Sequence, residues 1–190
     1  MTSQPSTAVL SIPCAGAYLI DSQNSTITFT SRHMFGLGTV RAGFSILSGQ
    51  LGIGQSLDQC RASASIGAAS FSSDNEKRDL DVQGPGLLDV ARFPQIEFTS
   101  TGVRHGGGGV VLVGTVAMHG LVAPVQVRVY FWEARTSDQI HVLARAEHLD
   151  RFAFGVTGSR GWVGRYFDLA FDVVAVLTAP GAETDTQKSP

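Results

Sequence analysis

Charge is scarce in this 190-residue chain: Asp, Glu, Lys and Arg make up 16% of it, and 14 basic residues against 16 acidic ones leave a formal charge of −2. A protein that grips a phosphate backbone or an anionic membrane surface does so with clustered cations. Here Arg32, Arg41, Arg61, Arg78 and Arg92 are scattered and lack interleaved aromatics, so no nucleic acid is expected as a partner. Cysteine is nearly absent. Cys14 and Cys60 are too few for a disulfide framework and stand in no metal-ligand spacing, while a single bridge between them stays open. The apolar residues fall in short runs, none long enough to be a transmembrane segment. There is no Gly-x-Ser-x-Gly nucleophile elbow and no His-x-x-x-His metal pair. The run Gly106 to Gly109 lacks the Lys-Ser or Lys-Thr ending of a phosphate loop and reads as a hairpin tip. No targeting signal is expected. Ala8-Val9-Leu10-Ser11-Ile12-Pro13-Cys14 has no basic n-region, too short an apolar run, and proline where a lipoprotein signal needs a small residue. The expectation is a flexible tail over residues 1–15, a cytoplasmic protein, and a disordered polar tail over residues 180–190.

What the sequence does have is glycine, phenylalanine and alternation. Twenty-two Gly and eleven Phe, with a mean hydropathy of +0.12, belong to a folded chain. Ile27 and Phe29 alternate with Thr26, Thr28, Thr30 and Arg32. Val125, Val127, Val129 and Phe131 alternate with Gln126, Arg128, Tyr130 and Trp132, and Phe167, Leu169, Phe171 and Val173 with Asp168, Ala170, Asp172 and Val174. This is the period of half-buried strands. Further strands are predicted at Ala17 to Ile20, Val40 to Leu51, Arg61 to Ala68, Gln95 to Thr101, Val110 to His119 and Gln139 to Glu147, separated by glycine-rich turns and Ser137-Asp138. Ser73 and Glu76 stand at capping-box spacing, predicting a short helix from Asp74 to about Leu80. A second turn over Leu87 to Arg92 stops before Phe93-Pro94. The fold class predicted is all-β: about eight antiparallel strands closed into a barrel, which removes exposed edges, with a short helical insertion around residues 74–92, all within one domain over residues 16–179.

Eight strands is the size at which a barrel is either just filled by its side chains or holds one small ligand. The face carrying Ala62, Ala64 and Ile66 is built of small residues, and Val40, Ala42, Phe44 and Ile46 mix small with large. Two interiors stay open on this pattern: a solid core in which bulky Phe residues fill the space left by alanines, or a lined apolar cavity.

Several segments together are similar to the YceI-like family of lipocalin-like, polyisoprenoid-binding barrels. They are Tyr18-Leu19-Ile20-Asp21 followed by Ser25, Phe29 and His33; Val40, Phe44 and Gly49; Lys77-Arg78-Asp79 with Leu88-Asp89-Val90; and Phe93-Pro94-Gln95-Ile96-Glu97-Phe98-Thr99-Ser100-Thr101. Gly114 through Met118-His119-Gly120, Pro124-Val125, and Arg151 with Phe154-Gly155 extend the likeness to about Leu177. Three positions depart from the family pattern: Asn24 and Asp81 stand where it usually has histidine, and Leu87 where it has an aromatic. These losses weaken a common histidine centre. The resemblance implies binding, storage or transport of a long-chain isoprenoid, an isoprenoid quinone or another apolar lipid in an elongated tunnel, with no cofactor beyond that ligand. Strand parity would line such a tunnel with Ile27, Phe29, Val40, Ala42, Phe44, Ala62, Ala64, Ile66, Ile96, Phe98, Phe167, Leu169 and Phe171.

Two other classes compete. A structural or protein-interaction module would have a filled barrel. An enzyme would recruit His33, His119 and Asp79, or Asp21 with Arg151, as an acid-base site. Histidines at strand ends are commonly satisfied locally, so His33 and His119 are expected to be structural, with no catalytic and no metal-binding residue. Trp162 lies in a loop before the last strand, where it caps a barrel mouth or pins to the outer surface. Oligomeric state stays open, a homodimer included.

Overall fold

The computed structural model describes residues 14–33, 38–106, 109–159 and 163–180. The readings that concern residues 1–13, the Gly36-Leu37 turn, the Gly107-Gly108 tip, Trp162, the C-terminal residues 181–190 and the side chain of His33 lie outside them. Ten strands follow in chain order: β1 (Gly16–Ile20), β2 (Thr26–His33), β3 (Gly38–Phe44), β4 (Ile46–Ile53), β5 (Arg61–Gly67), β6 (Gln95–Gly106), β7 (Gly109–Met118), β8 (Leu121–Ala134), β9 (Gln139–Asp150) and β10 (Val163–Pro180). A helix, α1 (Glu76–Gln83), stands between β5 and β6.

All pairings are antiparallel, and they run β1-β4-β5-β6-β7-β8-β9-β10 with β10 returning to β1. Eight strands thus close a ring, as predicted. The remaining two, β2 and β3, continue the wall above β1 and β4. This is possible because β10 is 18 residues long: its first part pairs with β2 from Val163 to Asp172, and its last part with β1 from Ala175 to Pro180. The handover is pinned at Val174. Its N–H donates to Ser25 Oγ at 3.0 Å, and its carbonyl accepts from Asp21 N–H at 2.8 Å and from the Ser25 hydroxyl at 3.2 Å. A polar residue such as Ser25 is buried here because each of its bonds is made.

The stretch predicted as one strand over Val40 to Leu51 is two strands, broken at Ser45. There the outer partner of the chain changes: Ser45 N–H donates to Ser70 Oγ at 2.7 Å, and Ser45 O accepts from Gly67 N–H at 3.1 Å. The free edge of β3 is covered by a single bridge between Gly43 and Ser72, so the insertion that follows β5 seals the gap that an upper β5 would have filled.

The helix differs in detail from its predicted start. Asn75 is the N-cap and its side chain accepts from Arg78 N–H at 2.9 Å. Ser73 instead donates its hydroxyl to Asp79, whose carboxylate also takes the Ser73 N–H at 3.0 Å. Arg78 closes the knot by donating to Ser73 Oγ at 2.7 Å and to Ser73 O at 2.8 Å. Leu87 to Arg92, expected to form a second turn, belong to a run of hydrogen-bonded turns over residues 84–92, among them Leu88 N–H to Val82 O and Asp89 N–H to Gly84 O, both at 2.9 Å. These turns swing Leu87 and Leu88 into the barrel, where both are buried.

Candidate functional site: an apolar cavity in the barrel

The barrel is hollow. A cavity of about 360 Å³ runs along its interior, within the range of small-molecule sites. Its origin is legible in the ring order. β5 and β9 lie four places apart in a ring of eight, on opposite walls, and both turn alanines inward: Ala62 and Ala64 from β5, Ala144 and Ala146 from β9. Close packing would need long side chains from the neighbours to fill that gap, but the phenylalanines stack on each other instead. Phe29 stacks on Phe167 at 5.4 Å with the rings inclined by 29° and lies edge-on to Phe71 at 5.7 Å, and Phe71 meets Phe44 at 5.3 Å. These aromatic pairs build one side of the wall beneath the insertion.

Of the thirteen residues that parity assigns to the interior, twelve line this cavity: Ile27, Phe29, Val40, Phe44, Ala62, Ala64, Ile66, Ile96, Phe98, Phe167, Leu169 and Phe171. The thirteenth, Ala42, is buried between Phe71 and Leu88, with Phe29 and Phe44 alongside, so the insertion covers it. Parity reasoning missed the opposite half of the wall. Val125, Val127 and Val129 of β8, and Val142, Ala144, Ala146 and Leu149 of β9, line the cavity, as do Leu112 and Val116 of β7. The alternation that places them was there to be read. Val82 comes from α1 and Phe154 from the 3-10 helix Arg151–Phe154, while Phe71, Leu87, Leu88 and Val156 come from turns and loops, where no strand period carries a signal.

One inward assignment on β8 fails for a definable reason. A bulge between Val129 and Phe131 inserts an extra residue, which reverses the facing of everything after it. Trp132 therefore packs into the barrel with Val129 and Val142, and Phe131 faces outward against the His141 ring at 5.9 Å.

Polar groups on the cavity lining are few: Ser31, Arg32, Ser63, Arg78 and Arg151. Four of these five belong to the end closed by α1 and by the short 3-10 helix Arg151–Phe154. Arg151 is buried, and a buried guanidinium persists only when its donors are engaged. Its Nε donates to Gly164 O at 2.9 Å, Nη1 to Val156 O at 2.5 Å and Nη2 to Val163 O at 3.2 Å. It thereby ties the 3-10 helix to the start of β10. Asp150 caps the same helix at Phe152 N–H and binds Arg165 through both oxygens, at 2.7 to 3.0 Å. The Arg165 guanidinium holds the Asp150 carboxyl below the usual carboxylate range. Hydrogen bonding from Ser73 does the same for Asp79. Across the mouth, Gly158 lies so close to the insertion that a Cβ there would sit 1.7 Å from Gly86 O; only glycine permits the contact.

The residues an acid-base site would recruit are dispersed among other duties. Asp21 accepts from Gln23 N–H, Asn24 N–H and the Asn24 amide in its own turn. Asp79 serves Ser73, and the His119 ring lies 4.8 Å from that of Phe93. One group of titratable side chains lies outside the barrel: His141 Nε2 is 2.7 Å from Asp172 and its Nδ1 3.5 Å from Glu133. Since Ile140 and Val142 face inward, His141 faces out. Among the described residues no three His, Cys, Asp or Glu side chains are grouped to hold a metal ion. Cys14, exposed, and Cys60, buried, are both free thiols.

Comparison with known proteins agrees with this geometry. A family model described as the YceI-like domain matches residues 18–175. A UPF0312 protein of Yersinia pestis (strain Pestoides F) is 35% identical over 60 residues, 32% of this chain and 31% of that protein. The UPF0312 protein VVA0736 of Vibrio vulnificus is 25% identical over 121 residues, 62% of this chain and 64% of its own length. The matched stretches thus span less than two thirds of these relatives. Among solved structures, Burkholderia cenocepacia BcnA superposes with a TM-score of 0.68 at 22% identity, covering 82% of this chain and 98% of that one. A polyisoprenoid binding domain from Saccharophagus degradans gives 0.59 at 13% identity, covering 86% and 99%. At these identities the likeness is one of fold.

Proposed function

Because the chain belongs to the YceI-like domain family, we propose that its barrel binds one long-chain apolar lipid, a polyisoprenoid or isoprenoid quinone, and serves in its storage or transport without transforming it. The observation that carries this reading is the closed, hollow barrel whose wall is apolar except at Ser63 and at the α1 end. Each methylene moved from water into such a cavity contributes roughly 0.8 kcal/mol, so a long tail binds through burial and needs few polar contacts. The polar groups at the α1 end then suit a head group, with the tail running down the axis. The polyisoprenoid-binding description of the Saccharophagus degradans domain favours an isoprenoid over other apolar tails. Among the described residues, no helix is long and apolar enough to cross a membrane.

Native mass spectrometry of freshly purified protein, followed by organic extraction, tests the proposal. The expected result is one adduct per chain with the mass of a single apolar lipid, or a stoichiometric shift when a polyprenyl compound is added. A protein that is empty as purified and binds neither polyprenyl lipids, isoprenoid quinones nor fatty-acid derivatives at micromolar levels is not a lipid carrier. A structural module with no ligand would then be the better description.

A further inference from the structure

Beyond the main cavity, a second chamber of about 90 Å³ lies in the same barrel. Its walls include Ile53, Leu57, Cys60, Val103, Trp132 and Ile140, of which Leu57 opens the 3-10 helix Leu57–Gln59 that follows β4. Five residues line both spaces: Leu51, Ala62, Leu112, Val129 and Val142. They come from five different strands, β4, β5, β7, β8 and β9. Residues shared by two cavities form the wall between them, and five of them around one barrel form a collar. Apart from Ser63, the polar lining lies at the α1 end, and the second chamber is lined by apolar side chains apart from Arg61.

We propose that this second chamber receives the far end of the ligand's apolar tail, and that the collar sets the longest tail the barrel admits. The inference rests on the lipid-binding reading above and adds a length limit to it. A chain that stops short of the collar fills the main cavity alone. One long enough to pass it gains the burial of its last carbons against Leu57, Val103 and Trp132, provided the collar side chains rotate aside. Leu112 and Leu51 are the longest members of the collar and have the rotamers to do so. Ala62 is the smallest, so the passage lies beside it.

Two substitutions push the limit in opposite directions. Ala62→Leu fills the passage and Leu112→Ala widens it. Binding of a series of all-trans polyprenols of increasing length, measured by competition in native mass spectrometry, reads the outcome. In Ala62→Leu, affinity for the longest tails is expected to fall by about fourfold for each methylene excluded, and the shortest tails lose least. In Leu112→Ala the longest accepted tail becomes longer. If wild type binds the series and both variants keep its length profile, the collar is not the limit and the proposal is wrong, with the lipid-binding reading left standing. If wild type binds none of the series, both fail together. Should Leu112→Ala not fold, Ala62→Leu alone decides, because a loss that steepens at the longest tails supports the collar and uniform or absent loss overturns it.

Discussion

Enlarging Ala64 to phenylalanine separates a hollow barrel from a filled one. Ala64 lies on β5 between Gly49 of β4 and Phe98 of β6, and its methyl lines the cavity. Sideways escape is blocked: the space beside Gly49 is occupied by Ile20, whose Cδ1 would stand 2.6 Å from a Cβ built there. A phenyl ring at position 64 must therefore point along the barrel radius, toward Ala144 and Ala146 on the opposite wall. In a packed core such a ring costs about 1 to 3 kcal/mol through forced rotamers and backbone shifts, lowering the melting temperature by roughly 2–4 °C per kcal/mol in a chain of this size. In the hollow barrel the ring enters empty space, and delipidated Ala64→Phe should melt within about 2 °C of wild type. The loss appears in binding instead. A ring that displaces about three methylenes of a long tail removes about 2.4 kcal/mol, on the order of 50-fold in Kd, and tails short enough to avoid it suffer less. Thermal unfolding of delipidated protein, run beside binding of a chain-length series, reads both quantities. A large fall in melting temperature would refute the hollow interior. A stable variant with unchanged length preference would show that position 64 does not reach the ligand.

Three further outcomes follow from the mouth of the barrel. Gly158→Ala forces the loop away from Gly86, so stopped-flow exchange of a bound polyprenol should be faster and the melting temperature lower; unchanged exchange would mean that this contact does not gate the mouth. Asp79 and Asp150 have folded pKa values below the ordinary carboxylate range, so their stabilisation is present above about pH 4 and lost as pH falls through the lowered values. Lipid exchange should therefore accelerate only at strongly acidic pH, and Asp79→Asn should make exchange at neutral pH resemble that of the acidified protein. His119→Gln should leave lipid uptake within a few-fold of wild type, since His119 packs on Phe93; zinc or iron that withstands dialysis and disappears in this variant would reopen the enzyme reading.

Much of this fold is legible where one face of a strand meets the core and the other meets water. β2 keeps Ile27 buried and Thr26, Thr28 and Arg32 exposed, as its alternation predicts, and twelve of the residues that strand parity turns inward on β2, β3, β5, β6 and β10 line the cavity. The reading fails where the ladder is irregular. The bulge between Ile46 and Ser48 shifts the inward set on β4 to Gly49 and Leu51, and the one at Phe131 does the same to Trp132. A bulge is decided by the partner strand and leaves little trace in the sequence of the strand that carries it. Helix capping shows the same limit. Ser73 and Glu76 have the spacing of a capping box, but Asp79 competes for the Ser73 hydroxyl and N–H, leaving Asn75 to cap.

Whether the interior is hollow could not be read from any one strand, because it is a property of two strands that never touch. Alanine on β5 is compatible with a solid core if β9 carries large residues, and alanine on β9 is equally neutral if β5 does. Only the ring order, in which β5 and β9 face each other across the axis, brings Ala62 and Ala64 opposite Ala144 and Ala146. The same order explains why the void is a lengthwise cavity: the alanines occupy successive inward positions along each strand, so the missing volume repeats from one level to the next. It narrows where Leu51 and Leu112 enter at the level of Ala62. Small residues on facing walls hold the space open, and the larger side chains that line both spaces beside Ala62 narrow it.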